Sequence, residues 1–432
     1  MTPTRPATAP VAAPRLPAGP KVGAVAVVES RPTPAPRRSR WRPVLGLLAG
    51  LAALDLGVYA TADTWRRYSP DDYAERLAGC RSRPQDFVLV GGSPVSEGLD
   101  PAVIAGVGRR GSPLAHGYAL GLPGGTVSDC FFAVKNGCPT PPKLLVYGAT
   151  ASDWNDSRHE PHGPYSLMTP GDVCDWVTTR PEAGEWVARH YVNGICGKAW
   201  GVFRYRHGLR MWAADQAASL APGASPEAAK EAAGNRAYSD ALRSGDGYSP
   251  AAWFVNRRYD HMKQSGWVAP PFDYLARYRT GSHLKYLHRL ADWCEERGTE
   301  LVIVDMPVTA DLEARYPAEF AEFRRRLAEV ETARGLTILR ATREAVGVDD
   351  SHFADLIHLN GAGAKRLSAW VRDRLADRGA TVLTPSPLVG VGRGGGSGEH
   401  PASESPIRQR FVPPHPNPPP QGGRGQKTGV TP

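Results

Sequence analysis

Residues 283–307, HLKYLHRLADWCEERGTELVIVDMP, decide the fold. Leu284, Leu287, Leu290 and Cys294 recur at helical spacing and predict a helix over 283–297 with one apolar side. Leu301, Val302, Ile303 and Val304 follow at once as a continuous apolar run closed by Met306 and Pro307, the pattern of a buried strand. Working outward, the alternation continues. Downstream lie a charged amphipathic helix over 318–334, a strand over 336–339 and a closing helix over 361–378. Upstream, a short helix over 71–78 precedes an apolar run at 87–90 that ends in Gly91 and Gly92. Helices at 101–107 and 127–134 then alternate with apolar runs at 118–122 and 144–147. Helices and strands in this order predict an α/β domain whose parallel sheet is covered on both faces.

Residues 152–280 break the rhythm. They are rich in Trp, Tyr and Arg, with helical segments expected between Trp186 and Trp212, and read as an insertion between the third and fourth strands. The ligand crevice of such sheets lies outside the carboxyl ends of the strands, so the insertion is expected to border it.

The chain has 432 residues and a formal charge of +9, which raises nucleic-acid binding until the charge is located. Residues 1–42 carry +7 and residues 385–432 carry +3, leaving residues 43–384 near −1. That middle has no electrostatic reason to seek phosphate backbones, and no nucleic-acid partner is expected. Both ends are also rich in proline and small residues, and are expected to be disordered tails at 1–42 and 385–432.

Between Val44 and Ala62 the stretch VLGLLAGLAALDLGVYATA has Asp55 as its single charge. As a helix it reaches about 28 Å, close to a bilayer's hydrocarbon thickness. Arg37, Arg38, Arg40 and Arg42 precede it, with Trp41 at one edge and Trp65 and Tyr68 at the other. This predicts a membrane anchor over 43–68 with a cytoplasmic N-terminus and an extracytoplasmic domain over 69–384. Cleavage after Ala62 is the competing reading, and it exports the same domain. Asp55 is read as a tolerated defect in preference to a contact with a partner helix.

All six cysteines, Cys80, Cys130, Cys138, Cys174, Cys196 and Cys294, follow the apolar stretch, as disulfides in an exported domain require. Proximity in sequence suggests Cys130–Cys138 and Cys174–Cys196, with Cys294 a free core thiol. No CxxC or His-x-x-x-His spacing points to a metal, and no cofactor is expected.

Two segments carry the chemistry. Gly91-Gly92-Ser93-Pro94-Val95-Ser96-Glu97 follows the first strand, and Asp355-Leu356-Ile357-His358-Leu359-Asn360 precedes the last helix. A serine hydroxyl becomes a nucleophile when a base within hydrogen-bond reach is oriented by a carboxylate, and Asp355 with His358 supplies both. Asp349 and His352 repeat the Asp-x-x-His spacing, so spacing alone leaves two pairs open. Arg204-Tyr205-Arg206-His207, with Arg210 and Trp212, reads first as a solvated amphipathic helix and second as a grip for an anionic or sugar substrate.

The two segments together resemble the SGNH (GDSL-like) hydrolases, over roughly residues 84–380. The similarity is greatest to the membrane-anchored branch related to the alginate O-acetylation and D-alanyl-lipoteichoic acid transfer proteins. The resemblance implies a three-layer, flavodoxin-like domain with Ser93 as nucleophile, His358 as general base and Asp355 as its orienter. It implies an oxyanion hole from the Ser93 amide, a glycine amide in Leu120-Gly121-Leu122-Pro123-Gly124-Gly125-Thr126, and a third-block side chain. Gly124 is the preferred donor and Gly125 its rival. The sequence departs from the family where Thr150 stands in the asparagine position, leaving Thr150 or Asn155 as donor, and where Gly92 replaces the aspartate of Gly-Asp-Ser.

The expected function is that of a membrane-tethered serine esterase or O-acyltransferase acting on acyl groups of a cell-envelope polysaccharide. The alternative is an inactive scaffold of the same fold that binds glycan or a membrane-bound acyltransferase partner.

Overall fold

Phe87–Gly91 (β1), Gly117–Gly121 (β2), Leu144–Ala149 (β3), Glu300–Asp305 (β4) and Thr337–Arg340 (β5) form one sheet, every pairing parallel, in the order β2-β1-β3-β4-β5. The computed structural model describes residues 41–381 apart from 69–71, 110–111, 158–166, 181–183, 185–199, 221–225, 249, 251 and 270–271. Every residue of β1, β2 and β3 is buried, so both faces of the central strands are covered. Branched and aromatic side chains (Val88, Val90, Tyr118, Val146, Tyr147, Val302, Ile303) fill that core. The sequence order doubles back between β1 and β3, the switch point at which doubly wound sheets open a crevice.

Eight of the described helices frame the sheet and its N-terminal approach. In chain order they are Arg42–Ala60 (α1), Ala62–Tyr68 (α2), Asp72–Arg81 (α3), Ser93–Gly98 (α4), Val127–Gly137 (α5), Ser282–Glu296 (α6), Pro317–Arg334 (α7) and Gly361–Thr381 (α8). α3, α5 and α6 pack side by side, while α8 packs on α4. The expected helix over 101–107 shrinks to Pro101–Ile104, because Gly106 takes φ +86° and the chain turns into a short ribbon. Thr126 and Asp129 start α5 with reciprocal hydrogen bonds.

Between β3 and β4 the described residues add no strand to the sheet, and the Asp156 amide donates to the Arg279 carbonyl at 2.7 Å, which brings those two positions together. Asp156 also accepts the Ser282 and His283 amides at 2.8 Å each, which caps α6.

Contacts divide the chain into units 1–51 and 52–432. α1 is long and apolar enough to cross a membrane, and Leu45, Leu47, Leu48, Leu51, Leu54 and Leu56 along it are exposed. The Asp55 carboxylate, expected as a tolerated defect, accepts the Val202 amide at 2.9 Å, at the start of the helical turn Gly201–Arg204. Glycine at 201 permits this approach, since a Cβ there would lie 2.7 Å from the Tyr59 ring. The tails before residue 41 and after residue 381, and Cys196, lie outside the described residues.

The pairing Cys130–Cys138 is corrected. Cys130 sits inside α5 and Cys138 caps its end, eight residues on. That rise is about 12 Å, beyond the span of a disulfide. Cys138 instead faces Cys80.

Candidate active site

The site begins with a row of glycines. Gly121, Gly91 and Gly148 stand in register at the carboxyl ends of β2, β1 and β3. A Cβ on Gly91 or Gly148 would come within 2.3 Å of Val95 Cγ2, and one on Gly121 within 2.5 Å of the Ser96 backbone. α4 therefore lies directly across the strand ends, in space that only hydrogen can share. This helix carries Ser93 at its first position, where the amide has no intrahelical partner. Gly92 has φ −71°, a backbone open to any residue, so its role is also spatial. A Cβ there would sit 3.0 Å from Asp153 Oδ1 and 3.5 Å from the Gly125 carbonyl oxygen.

His358 reaches the same point from the other end of the chain. Its Nε2 is 2.8 Å from Ser93 Oγ and its Nδ1 is 2.7 Å from Asp355 Oδ2. The other oxygen, Asp355 Oδ1, accepts the Ile357 and His358 amides at 2.9 Å each, which fixes the carboxylate to its own loop. Asn360 anchors that loop: its Oδ1 accepts the Ala362 and Gly363 amides and its Nδ2 donates to the Arg257 and Ser351 carbonyls. Burial raises Asp355 and lowers His358, but their mutual attraction and hydrogen bond win. The net result is Asp355 below its ordinary range and His358 above 6.5, with Glu97 adding to the pull on His358.

The second Asp-x-x-His is elsewhere. His352 Nδ1 meets Asp349 Oδ1 at 2.8 Å inside a capping box of its own turn. Tertiary approach to Ser93 thus separates two pairs that spacing leaves equivalent.

The candidate oxyanion donors divide similarly. The Gly125 amide donates to the Leu122 carbonyl at 2.7 Å, and Gly124 beside it stands in the left-handed region at φ +71°. Tyr73 Oη braces this loop by donating to the Pro123 carbonyl at 2.6 Å. Thr150 is buried, its hydroxyl 2.8 Å from that of Ser152. Asn155 does not serve: its Nδ2 donates to the Tyr274 and Ala276 carbonyls and its Oδ1 accepts from Ser157 and Arg279. It is a knot tying the strand end to the returning insertion.

Three neighbours were not legible as site residues. Glu97 is buried one turn after Ser93, with Ser96 Oγ donating to it at 3.2 Å. Asp153 occupies the space beside Gly92. Phe254, from the insertion helix Ala252–Asn256, lies over the His358 ring with centroids 4.5 Å apart, so the insertion does border the site. Only the fold reports these three, since Glu97 and Asp153 lie in unremarkable local contexts and Phe254 is 104 residues from His358. The Arg204–His207 segment makes its contacts elsewhere, Tyr205 packing on Tyr59 and accepting from Arg66.

A hydroxyl, an imidazole and a carboxylate in one hydrogen-bonded chain can pass a proton from the oxygen to the ring as the oxygen attacks an electrophile. No protein-family model matches this chain, and no curated protein matches it either.

Proposed function

We propose that the chain is a membrane-tethered, extracytoplasmic serine esterase or O-acyltransferase of SGNH type, acting on acyl groups, foremost acetyl, of a cell-envelope glycan. The observation that carries the reading is the chain Ser93 Oγ, His358 Nε2 and Nδ1, Asp355 Oδ2, with links of 2.8 and 2.7 Å, at the switch point of a parallel sheet. Ser93 Oγ attacks the acyl carbonyl while His358 takes its proton. The tetrahedral oxyanion is met by the Ser93 amide and the Gly124 loop. Collapse expels the alcohol, protonated by His358, and leaves an acyl group on Ser93. Water or a sugar hydroxyl, deprotonated in turn by His358, then takes that acyl group.

A fluorophosphonate probe should label Ser93 in the full chain and leave Ser93→Ala unlabelled. Equal labelling of both proteins defeats the proposal.

The scaffold reading keeps one observation in its favour. Asn155 is spent on structure and the Thr150 hydroxyl is shared with Ser152, so Asn155 does not complete the oxyanion hole. Loss of one such donor costs about 2.7–4 kcal/mol in the transition state. If the protein resists the probe and hydrolyses no acetyl ester, yet binds envelope glycan, the scaffold reading takes precedence.

A further inference from the structure

The Cys80 and Cys138 sulfurs lie 3.7 Å apart, and the two residues are 2% and 5% exposed. Cys80 is in the last turn of α3 and Cys138 is the C-cap of α5, so their meeting is a product of helix packing across a long stretch of chain. The helices are closely fitted there, since a Cβ on Gly137 would lie 2.6 Å from Leu77 Cδ2. The sulfurs are already near contact, and a disulfide requires them to close to about 2.05 Å. A cleft lined by Cys80, Arg83, Gln85, Cys138 and Thr140 opens onto the pair.

We propose that Cys80 and Cys138 are a redox pair that closes to a disulfide when the folded chain meets a thiol oxidant of the disulfide class. One cysteine thiolate attacks a sulfur of the oxidant's disulfide, forming a mixed disulfide and releasing one oxidant thiol. The second cysteine thiolate then attacks the protein sulfur of that mixed disulfide, releasing the other. Two electrons pass to the oxidant, and the two cysteine protons end on its two thiols. The hydrogen bond shared with Cys80 and then burial push the Cys138 thiol well above its ordinary range, so small oxidants close the pair slowly. α3 also carries Tyr73, which holds the Pro123 carbonyl, so the bond staples the helix that braces the Gly124 loop to the far end of α5. Occurrence in the cell rests on the extracytoplasmic placement proposed above; the chemistry of the pair does not.

The test incubates the purified full chain in detergent with oxidised glutathione, quenches with acid, alkylates free thiols under denaturing conditions and maps peptides by mass spectrometry. The expected product joins the Cys80 and Cys138 peptides, lighter by two hydrogens and separated by reductant, while Cys138→Ser leaves Cys80 unable to form it. Recovery of both cysteines alkylated after exposed Cys174 is fully converted to its glutathione adduct, with no bond appearing on incubation extended until the product pattern stops changing, overturns the proposal, as does a bond from either to another cysteine. A bond that forms in the test tube but is absent from acid-quenched cells leaves the pair standing and removes the extracytoplasmic placement.

Discussion

At the scale of single residues, the site depends on which hydrogen bonds each polar group has left. In the proposed mechanism His358 acts as a base only when neutral, and the Asp355 carboxylate, outweighing burial, raises its pKa above the ordinary imidazole value. Probe labelling of Ser93 should therefore be complete at high pH and fall as the pH drops through an inflection above that of an ordinary imidazole. Asp355→Asn should move that inflection down and slow labelling by about two to four orders of magnitude, measured as a pH–rate profile. An unmoved inflection would show that Asp355 does not set the base. Asn155 makes the opposite prediction. Its side chain joins the end of the 3-10 turn Ala151–Trp154 to residues 274–279, so Asn155→Ala should destabilise the fold by about 1–3 kcal/mol in urea denaturation. The labelling rate of the folded fraction should stay within a few-fold. A large loss of rate at unchanged stability would return Asn155 to the oxyanion hole.

At the scale of elements, the glycines of three strands serve one helix. Gly91, Gly121 and Gly148 let α4 rest on the strand ends, and that contact presents Ser93 to His358. Gly121→Ala drives a methyl into the Ser96 backbone, which cannot rotate away as a side chain would. It should cost about 1–3 kcal/mol of stability by thermal denaturation and reduce Ser93 labelling in the protein that remains folded. Wild-type labelling in Gly121→Ala would mean that α4 has another support. The helices and strands were largely legible, because burial on one helix face or both sheet faces imposes a period that the sequence displays: 283–297 and 301–304 appear as Ser282–Glu296 and Glu300–Asp305. The helix expected at 101–107 was overstated, since Gly106 could take the left-handed turn that ends it.

At the scale of the whole molecule, an apolar helix precedes an α/β domain. Carbonate extraction should retain the full chain in the membrane fraction and release a variant lacking residues 42–60. Release of both would exclude α1 as the anchor. A membrane-impermeant maleimide applied to intact cells should label exposed Cys174 if the domain is extracytoplasmic, and labelling only after lysis would reverse the orientation. Asp55 belongs to this scale as well. It lies in the last third of α1, and its carboxylate accepts the backbone amide of Val202.

The sequence by itself determined the α/β class, the apolar helix and the neutral centre between basic ends. Each follows from local periodicity or composition, which a chain carries whether or not it is folded. Only the tertiary structure decided that Asp355-His358 and not Asp349-His352 meets Ser93, that Asn155 is structural, that Asp153 and Phe254 line the site, and that Cys138 faces Cys80 and not Cys130. Those are distances between residues remote in the chain, and spacing along a sequence does not encode them. They are set when buried faces pack and each polar group takes the partner the packing brings within reach.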